Sequence, residues 1–261
     1  VMVDIDHTEL GKMALIGRPL HRAIHADSAD FLQKLEAEAL AYAPKAGPHD
    51  STWINQLEVW RDEYPAVLPD YPPDSPYRFV ERLSSLIQPD DVIVSDTGCA
   101  LGWMAQAFNF TGQRFLHAWN NTPMGYGLPA AIGAHYGSGG ARVILITGDG
   151  GLAVNITELA TVARHRLPVK IILFNNRGHA MCRQTQRTWL GGEYPSTSYE
   201  GGLATQNYSA VASAYDIPSY HLIETLFSER GPGFFELSVP DHYQITPQVR
   251  AGRLLQDADP Q

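Results

Sequence analysis

The sequence predicts an α/β fold with three layers, in which a mainly parallel sheet is covered by helices on both faces. Short apolar runs, several of them rich in β-branched residues, alternate along the chain with segments whose apolar residues recur at helical spacing. Parallel strands give this pattern because both of their faces are buried and each crossover between them needs a helix. The 261 residues, 44% of them hydrophobic, suffice for one large domain with an appendage or for two small domains.

The first 75 residues predict a small unit followed by a linker. The chain opens directly on the apolar run Val1-Met2-Val3, and a domain rarely starts on a core strand without a lead-in. We therefore expect a piece of a longer protein, with a natural short subunit as the alternative. The predicted elements are a strand at 1–6, a helix from Ser28 to Leu40, a Pro/Gly linker at 43–50, a helix from Ser51 or Thr52 to Tyr64, and an extended Pro-rich stretch at 65–76.

The remaining residues predict regular alternation of helices and strands. Predicted helices span 79–86, 100–108, 125–136, 155–165, 208–215 and 223–230, and predicted strands span 91–95, 114–118, 142–147, 169–174 and 233–239. The segment between the last two of these strands also contains a Gly/Ser/Thr/Tyr-rich stretch from Leu190 to Gln206. This stretch reads either as a mobile lid over a site or as a plain surface loop.

Composition excludes several classes of function. The net charge of -9 and the lack of a Lys/Arg cluster argue against a nucleic-acid surface. The sequence contains no run of 18 apolar residues, so it predicts no membrane span. Cys99 and Cys182 stand far apart, without the spacing of a disulfide framework or a zinc site, so we expect a protein of the reducing cytoplasm.

Polar residues follow two successive β-branched strands. Gly148-Asp149-Gly150-Gly151 follows one, and Asn175-Asn176-Arg177-Gly178 follows the next. Ligands bind beyond the carboxyl ends of strands in such sheets. Asp149, the amide oxygen of Asn176 and the carbonyl of Gly178 offer three hard oxygens to Mg²⁺, with a helix start near Asn155 for phosphates. Each motif alone is more often a structural turn, but the pair at neighbouring strand ends favours a site.

The order of these motifs resembles a known family. Gly148-Asp149-Gly150, the stretch 158–161, the stretch 167–170 and Asn175-Asn176 look like the thiamine diphosphate motif of acetolactate synthase-like enzymes. The stretch 124–134 is similar to the segment that precedes this motif. The resemblance implies the thiamine diphosphate-binding fold. It divides the chain into a remnant of the central domain (1–45), a linker with a short helix (46–75), the thiamine diphosphate- and Mg-binding domain (76–250) and a C-terminal tail (251–261).

The resemblance also implies roles for single residues. Asp149, Asn176 and the Gly178 carbonyl would bind Mg²⁺, and Met124 would force the cofactor into its bent form, although a core methionine is the alternative. The backbone of Thr122 and the Met124 amide would contact the aminopyrimidine. The residues implied to bind the cofactor are Gly98, Thr122, Met124, Gly148, Gly150, Gly151 and Asn176.

Three departures from the family pattern stand out. The glutamate that activates the cofactor comes, in the family, from a pyrimidine-binding domain, and no glutamate of this chain lies in its motif. Cys99-Ala100-Leu101 replaces Gln-His-Gln, and Thr185 stands where branched-chain enzymes carry the tryptophan that shapes the acceptor pocket. His179 reads either as a group for substrate contact or proton transfer, or as a loop histidine.

These residues predict the C-terminal, cofactor-diphosphate-binding domain of a thiamine diphosphate- and Mg-dependent 2-oxoacid decarboxylase or carboligase. A non-catalytic or regulatory subunit with the same metal site is the alternative. A nicotinamide or flavin oxidoreductase is excluded because no Gly-x-Gly-x-x-Gly follows a first strand. We expect a second subunit or an N-terminal domain to supply the glutamate, a homodimer or homotetramer, and FAD only as a possibility in a full-length protein.

Overall fold

A computed structural model describes residues 1–15, 17, 20–42, 51–249 and 252–253. The predicted linker at 43–50 and most of the predicted tail at 251–261 lie outside these residues. The chain forms two compact units, Val1–Pro65 and Ala66–Gln261. Within the described residues, no helix is long and apolar enough to cross a membrane.

The first unit contains a two-stranded parallel sheet with helices. Its elements are β1 (Met2–Asp4), α1 (His7–Leu15), β2 (Ala23–His25), α2 (Ser28–Tyr42) and α3 (Ser51–Glu63). Helix α1 and strand β2 were not predicted. The predicted first strand stops early because Asp4 and Asp6 turn the chain: the Asp6 carboxylate accepts the backbone N–H of Thr8 at 2.8 Å and so caps α1.

The second unit confirms the predicted three-layer α/β fold. Six parallel strands pair in the order β4-β3-β5-β6-β8-β7. The elements are α4 (Pro76–Ser84), β3 (Val92–Ser95), α5 (Cys99–Ala107), β4 (Arg114–Leu116), α6 (Gly127–Gly137), β5 (Val143–Gly148), α7 (Asp149–Val154), a 3-10 turn (Ile156–Glu158), α8 (Leu159–Arg164), β6 (Val169–Asn175), α9 (Ala180–Trp189), α10 (Tyr208–Ala214), β7 (Ser219–Tyr220), α11 (Ile223–Ser228) and β8 (Gly233–Ser238).

Each face of this sheet carries its own hydrophobic core. Successive residues of a strand point to opposite faces, so Ile144 and Ile146 of β5 pack with helices α4, α5 and α11, whereas Val143 and Leu145 pack with α6, α8 and α10. All four side chains are fully buried. Two apolar faces in one strand explain why the sequence showed a continuous apolar run there rather than alternation.

The structure differs from the prediction at two places, after β5 and after β6. The predicted helix at 155–165 is present as the 3-10 turn and α8, but its predicted start near Asn155 is wrong, because the chain already becomes helical at Asp149, directly after the extended Gly148. Asn155 instead interrupts the helix, with φ −123° and ψ 32°. Helix α9 was missed because its sequence is mostly polar and only Arg183 in it is buried.

The strand order places a cleft at the carboxyl edge of the sheet. The chain runs from β3 outward to β4, then returns to β5 on the other side of β3. Such a reversal opens a crevice at the ends of the two strands, where ligands of α/β proteins bind. The register sets Gly148 opposite Phe174, so the turns that follow β5 and β6 are neighbours.

Candidate functional site

All ten residues predicted for the site line one cavity of about 220 Å³ at the carboxyl edge of the sheet. The ends of β5 and β6, the start of α5 and the segment before α6 contribute to its wall. The predicted residues found there are Gly98, Thr122, Met124, Gly148, Asp149, Gly150, Gly151, Asn176, Gly178 and His179.

Asp149 is a buried carboxylate at the centre of this wall. It is 4% exposed, and its Oδ1 and Oδ2 accept the backbone N–H groups of Gly150 and Gly178, each at 2.8 Å. Burial raises the pKa of Asp149, while the two hydrogen bonds and the nearby His179 and Arg183 oppose the rise. Asp149 forms no ion pair with any described residue. A buried carboxylate without an ion-pair partner that also lines a cavity fits a site that receives a cation.

The turn after β6 brings further oxygen atoms to Asp149. Arg177 adopts the left-handed conformation with φ 54°, and the side chain of Asn175 accepts its N–H at 2.9 Å. This turn leads Gly178 back to the Asp149 carboxylate. Carboxylate, amide and carbonyl oxygens are the donors that Mg²⁺ prefers. In the described part of the chain no group of three or more His, Cys, Asp or Glu could hold a metal, so a metal here would need ligand oxygens from a bound phosphate or water.

Gly150 leaves room for two side chains that face each other across it. A Cβ at this position would lie 2.5 Å from the His179 ring and 2.7 Å from the Met124 methyl carbon. Any larger residue would displace both. Met124 is 39% exposed, which does not match the alternative of a core methionine. His179 is fixed by its backbone N–H, which donates to the Thr197 carbonyl at 3.0 Å.

Cys99 lies both in the hydrophobic core and at the wall of the cavity. It is 4% exposed and packs in the core beneath α5, yet it also lines the cavity. Burial raises the pKa of its thiol to about 12. Gly98, immediately before it, lines the same wall with φ 98°.

The predicted lid or loop from Leu190 to Gln206 is anchored at its centre. Thr197 and Ser198 are buried, at 7% and 8% exposure. The Thr197 hydroxyl donates to Gln186 at 2.7 Å, and its carbonyl holds His179. These contacts favour a fixed wall beneath the turn after β6 at this point of the segment.

Sequence reasoning missed three residues that support the site. The Asp96 carboxylate accepts backbone N–H groups of Gly125 and Gly127, the Tyr208 hydroxyl donates to the Asp149 carbonyl at 2.9 Å, and the Arg183 guanidinium donates to the Asn176 carbonyl at 3.2 Å. Only Asp96 left a signal, as a carboxylate directly after a buried strand. Tyr208 and Arg183 lie far from the motifs in the sequence and reach them only through the fold.

Comparisons with known proteins find a matching family model and similar proteins. The family model described as "Thiamine pyrophosphate enzyme, C-terminal TPP binding domain" matches residues 96–230. The "Acetolactate synthase large subunit" of Pyropia yezoensis is 28% identical over 97% of this chain and 43% of its own length. The "Acetolactate synthase isozyme 1 large subunit" of Escherichia coli (strain K12) is 29% identical over 97% of this chain and 44% of its own length. The chain therefore spans less than half the length of these relatives.

Proposed function

Since this chain belongs to the thiamine pyrophosphate enzymes and contains their C-terminal TPP-binding domain, we propose that it holds the cofactor diphosphate through Mg²⁺ in an acetolactate synthase-like 2-oxoacid decarboxylase or carboligase. The observation that carries the proposal is the cavity in which Asp149, buried and without an ion-pair partner among the described residues, meets Asn176 and Gly178. These three residues would bind the metal. Gly98, Gly148, Gly150 and Gly151 would lie along the diphosphate.

The residues of this chain would bind and orient the cofactor. When bound, thiamine diphosphate supplies the electron sink for loss of CO₂ or cleavage of a C–C bond next to the substrate carbonyl. Met124 would press against it from the cavity wall, and the backbone of Thr122 and Met124 would contact its aminopyrimidine. His179, at the same wall, would contact the substrate or transfer a proton to it.

We assign the acid that activates the cofactor to a different domain. Among the described residues no glutamate lines the cavity, and Glu158 instead accepts the hydroxyl of Thr161 at 3.0 Å. We propose that a pyrimidine-binding domain, from an N-terminal region or from a second subunit of a homodimer or homotetramer, supplies it. Mg dependence, the 2-oxoacid and a cytoplasmic location belong to the same proposal, and FAD has no support in this chain.

A non-catalytic subunit that binds the cofactor is the second candidate. Two observations favour it: Cys99, with its protonated and largely buried thiol, stands where the family carries a polar residue, and Thr185 replaces a tryptophan. The two candidates differ in whether the cofactor-loaded protein turns over a 2-oxoacid once a pyrimidine-binding domain is present.

The metal assignment is tested by Asp149→Ala. Because this change removes the only carboxylate of the proposed ligand set, we expect Mg²⁺-dependent binding of thiamine diphosphate to be lost in isothermal calorimetry. Asp90→Ala is the matched control, since Asp90 is an exposed aspartate at the opposite end of strand β3. An affinity that is equal in wild type and Asp149→Ala would refute the site.

The assignment of the acid is tested by turnover. We expect no release of CO₂ from pyruvate or longer 2-oxoacids by this chain alone, even with saturating Mg²⁺ and thiamine diphosphate. Addition of a pyrimidine-binding domain should restore release if the enzyme proposal holds. Release of CO₂ by the chain alone would contradict the assignment of the acid to another domain. If neither sample releases CO₂ although the cofactor is bound, the result would favour the non-catalytic subunit.

A further inference from the structure

We propose that Asp96 is a positioning residue that fixes the segment 122–127, and with it Met124, in the cofactor-binding arrangement before any cofactor is present. The inference rests on the proposed function, because it takes Met124 to be a contact of the cofactor. Its physical basis is separate, since it depends only on the contacts of Asp96 within this chain.

Asp96 is the first residue after strand β3 and is 1% exposed. Its own N–H donates to the Ile146 carbonyl of β5 at 2.8 Å, which fixes its backbone in the sheet. Its Oδ1 accepts the Gly125 N–H at 3.2 Å, and its Oδ2 accepts the Gly127 N–H at 2.9 Å. One carboxylate thus ties the strand end to the segment that carries Met124.

Helix α7 packs against the same carboxylate. A Cβ on Gly151 would lie 2.9 to 3.0 Å from the carboxyl carbon and oxygens of Asp96. Only glycine permits this approach without displacing one of the two. The strand β3, the segment 122–127 and the start of α7 therefore meet at a single side chain.

A second tether acts on the other side of the segment. The Asn155 side chain donates to the Gly125 carbonyl at 2.8 Å, and the Thr122 N–H donates to the Ala118 carbonyl at 2.8 Å. Met124 itself is 39% exposed. Its place is consequently set by backbone hydrogen bonds on either side of it and not by the burial of its own side chain.

The chemistry requires a carboxylate at this position. Asp96 accepts three backbone N–H groups, the third from Thr97 at 2.8 Å, and has no ion-pair partner among the described residues. Hydrogen bonds to an ionised acceptor are stronger than neutral ones. An asparagine of the same shape would turn an NH₂ group toward one of these donors. A segment held in this way is ordered before binding, so the cofactor does not lose affinity to its ordering.

Asp96→Asn tests the role with Asp91→Asn as its matched control. Asp91 precedes the same strand at its other end, is 4% exposed, and pairs with Arg142 at 2.8 and 2.6 Å. Backbone amide exchange of the cofactor-free chain and its affinity for Mg²⁺-thiamine diphosphate are measured for both. For Asp96→Asn we expect at least tenfold faster exchange of the Gly125 and Gly127 amides and at least tenfold weaker binding. For Asp91→Asn we expect a lower melting temperature with neither local effect.

The outcomes separate this inference from the proposed function. Unchanged exchange of the Gly125 and Gly127 amides in Asp96→Asn, or equal acceleration by Asp91→Asn, would overturn the inference. Wild-type protein that does not bind the cofactor would overturn the proposed function, while the exchange measurement would still decide the role of Asp96. If Asp96→Asn does not fold, Asn155→Ala removes the second tether and should accelerate exchange in the same residues. Protection that is unaltered by Asn155→Ala would then count against the inference.

Discussion

Two thiols line the same cavity but differ in their surroundings. Cys99 is 4% exposed, and burial raises its pKa to about 12, so that almost no thiolate exists near neutral pH. Cys182, on helix α9, is exposed. Because both residues reach the cavity wall, their chemistry reports on occupation of the cavity.

We expect iodoacetamide to label Cys182 and to leave Cys99 unlabelled in the folded chain. Mg²⁺-thiamine diphosphate should slow the labelling, because a ligand in the cavity covers part of the wall that Cys182 shares. Intact-mass spectrometry over time measures this, with Cys182→Ser as the control that should remain unlabelled. A labelled Cys99 in that variant would contradict the burial, and a rate unaffected by the ligand would contradict the shared wall.

Helix α9 shows how an element that the sequence conceals supports the site. Its one buried residue, Arg183, is 5% exposed and forms an ion pair with Asp241 at 2.7 Å. The same guanidinium donates to the backbone carbonyl of Asn176 at 3.2 Å and to its side-chain oxygen, the predicted metal ligand, at 3.4 Å. The Arg183 guanidinium, seven residues further along the chain, therefore stabilises the turn after β6.

Arg183→Met should remove this stabilisation of the turn after β6. The Asn176 carbonyl would lose a charged donor, so we expect weaker Mg²⁺ binding and a free energy of unfolding lower by about 1–3 kcal/mol. Urea denaturation and metal titration measure the two effects, and Arg183→Lys should recover part of both. Arg187→Met is the control on the same helix, since Arg187 is exposed and contacts the ring of Tyr194. Equal losses in both variants would show that α9 acts only through its general stability.

The same elements show what the sequence could and could not predict. Strands β5 and β6 and the turns after them were predicted because continuous β-branched runs have few other structures. The start of α7 was missed because glycines at 150 and 151 disfavour helix, and packing against Asp96 overrides that preference. Helix α9 is mostly polar and buries only Arg183, so the apolar pattern of the sequence did not predict it. The ten cavity residues came from motifs, whereas Asp96, Tyr208 and Arg183 depend on contacts between distant segments.

At the scale of the whole molecule, the buried charge of Asp149 couples folding to pH. Burial raises its folded pKa above the ordinary value of 3.8. Between the unfolded and the folded pKa the native state holds more protons, so the stability of the cofactor-free chain falls as pH rises through that interval. A metal ion needs the ionised carboxylate and competes with the proton.

We therefore expect Mg²⁺-thiamine diphosphate to raise the melting temperature more at about pH 7.5 than at about pH 5. Thermal unfolding with and without the ligand at both values measures the difference. Asp149→Asn should show a smaller gain at both values, because the variant lacks the carboxylate of the proposed ligand set. A gain that is equal at both values in wild type would show that Asp149 does not bind the metal.

Because the chain passes through β4 before it forms β5, the strand order also determines when the site can form during synthesis. Val92 pairs with Val143, so the cleft between β3 and β5 cannot form until the intervening residues have left the ribosome. Contacts of such long sequence separation form slowly. Asp96 is consequently synthesised well before strand β5 can pair with β3. The cofactor can bind only after this pairing has completed the sheet.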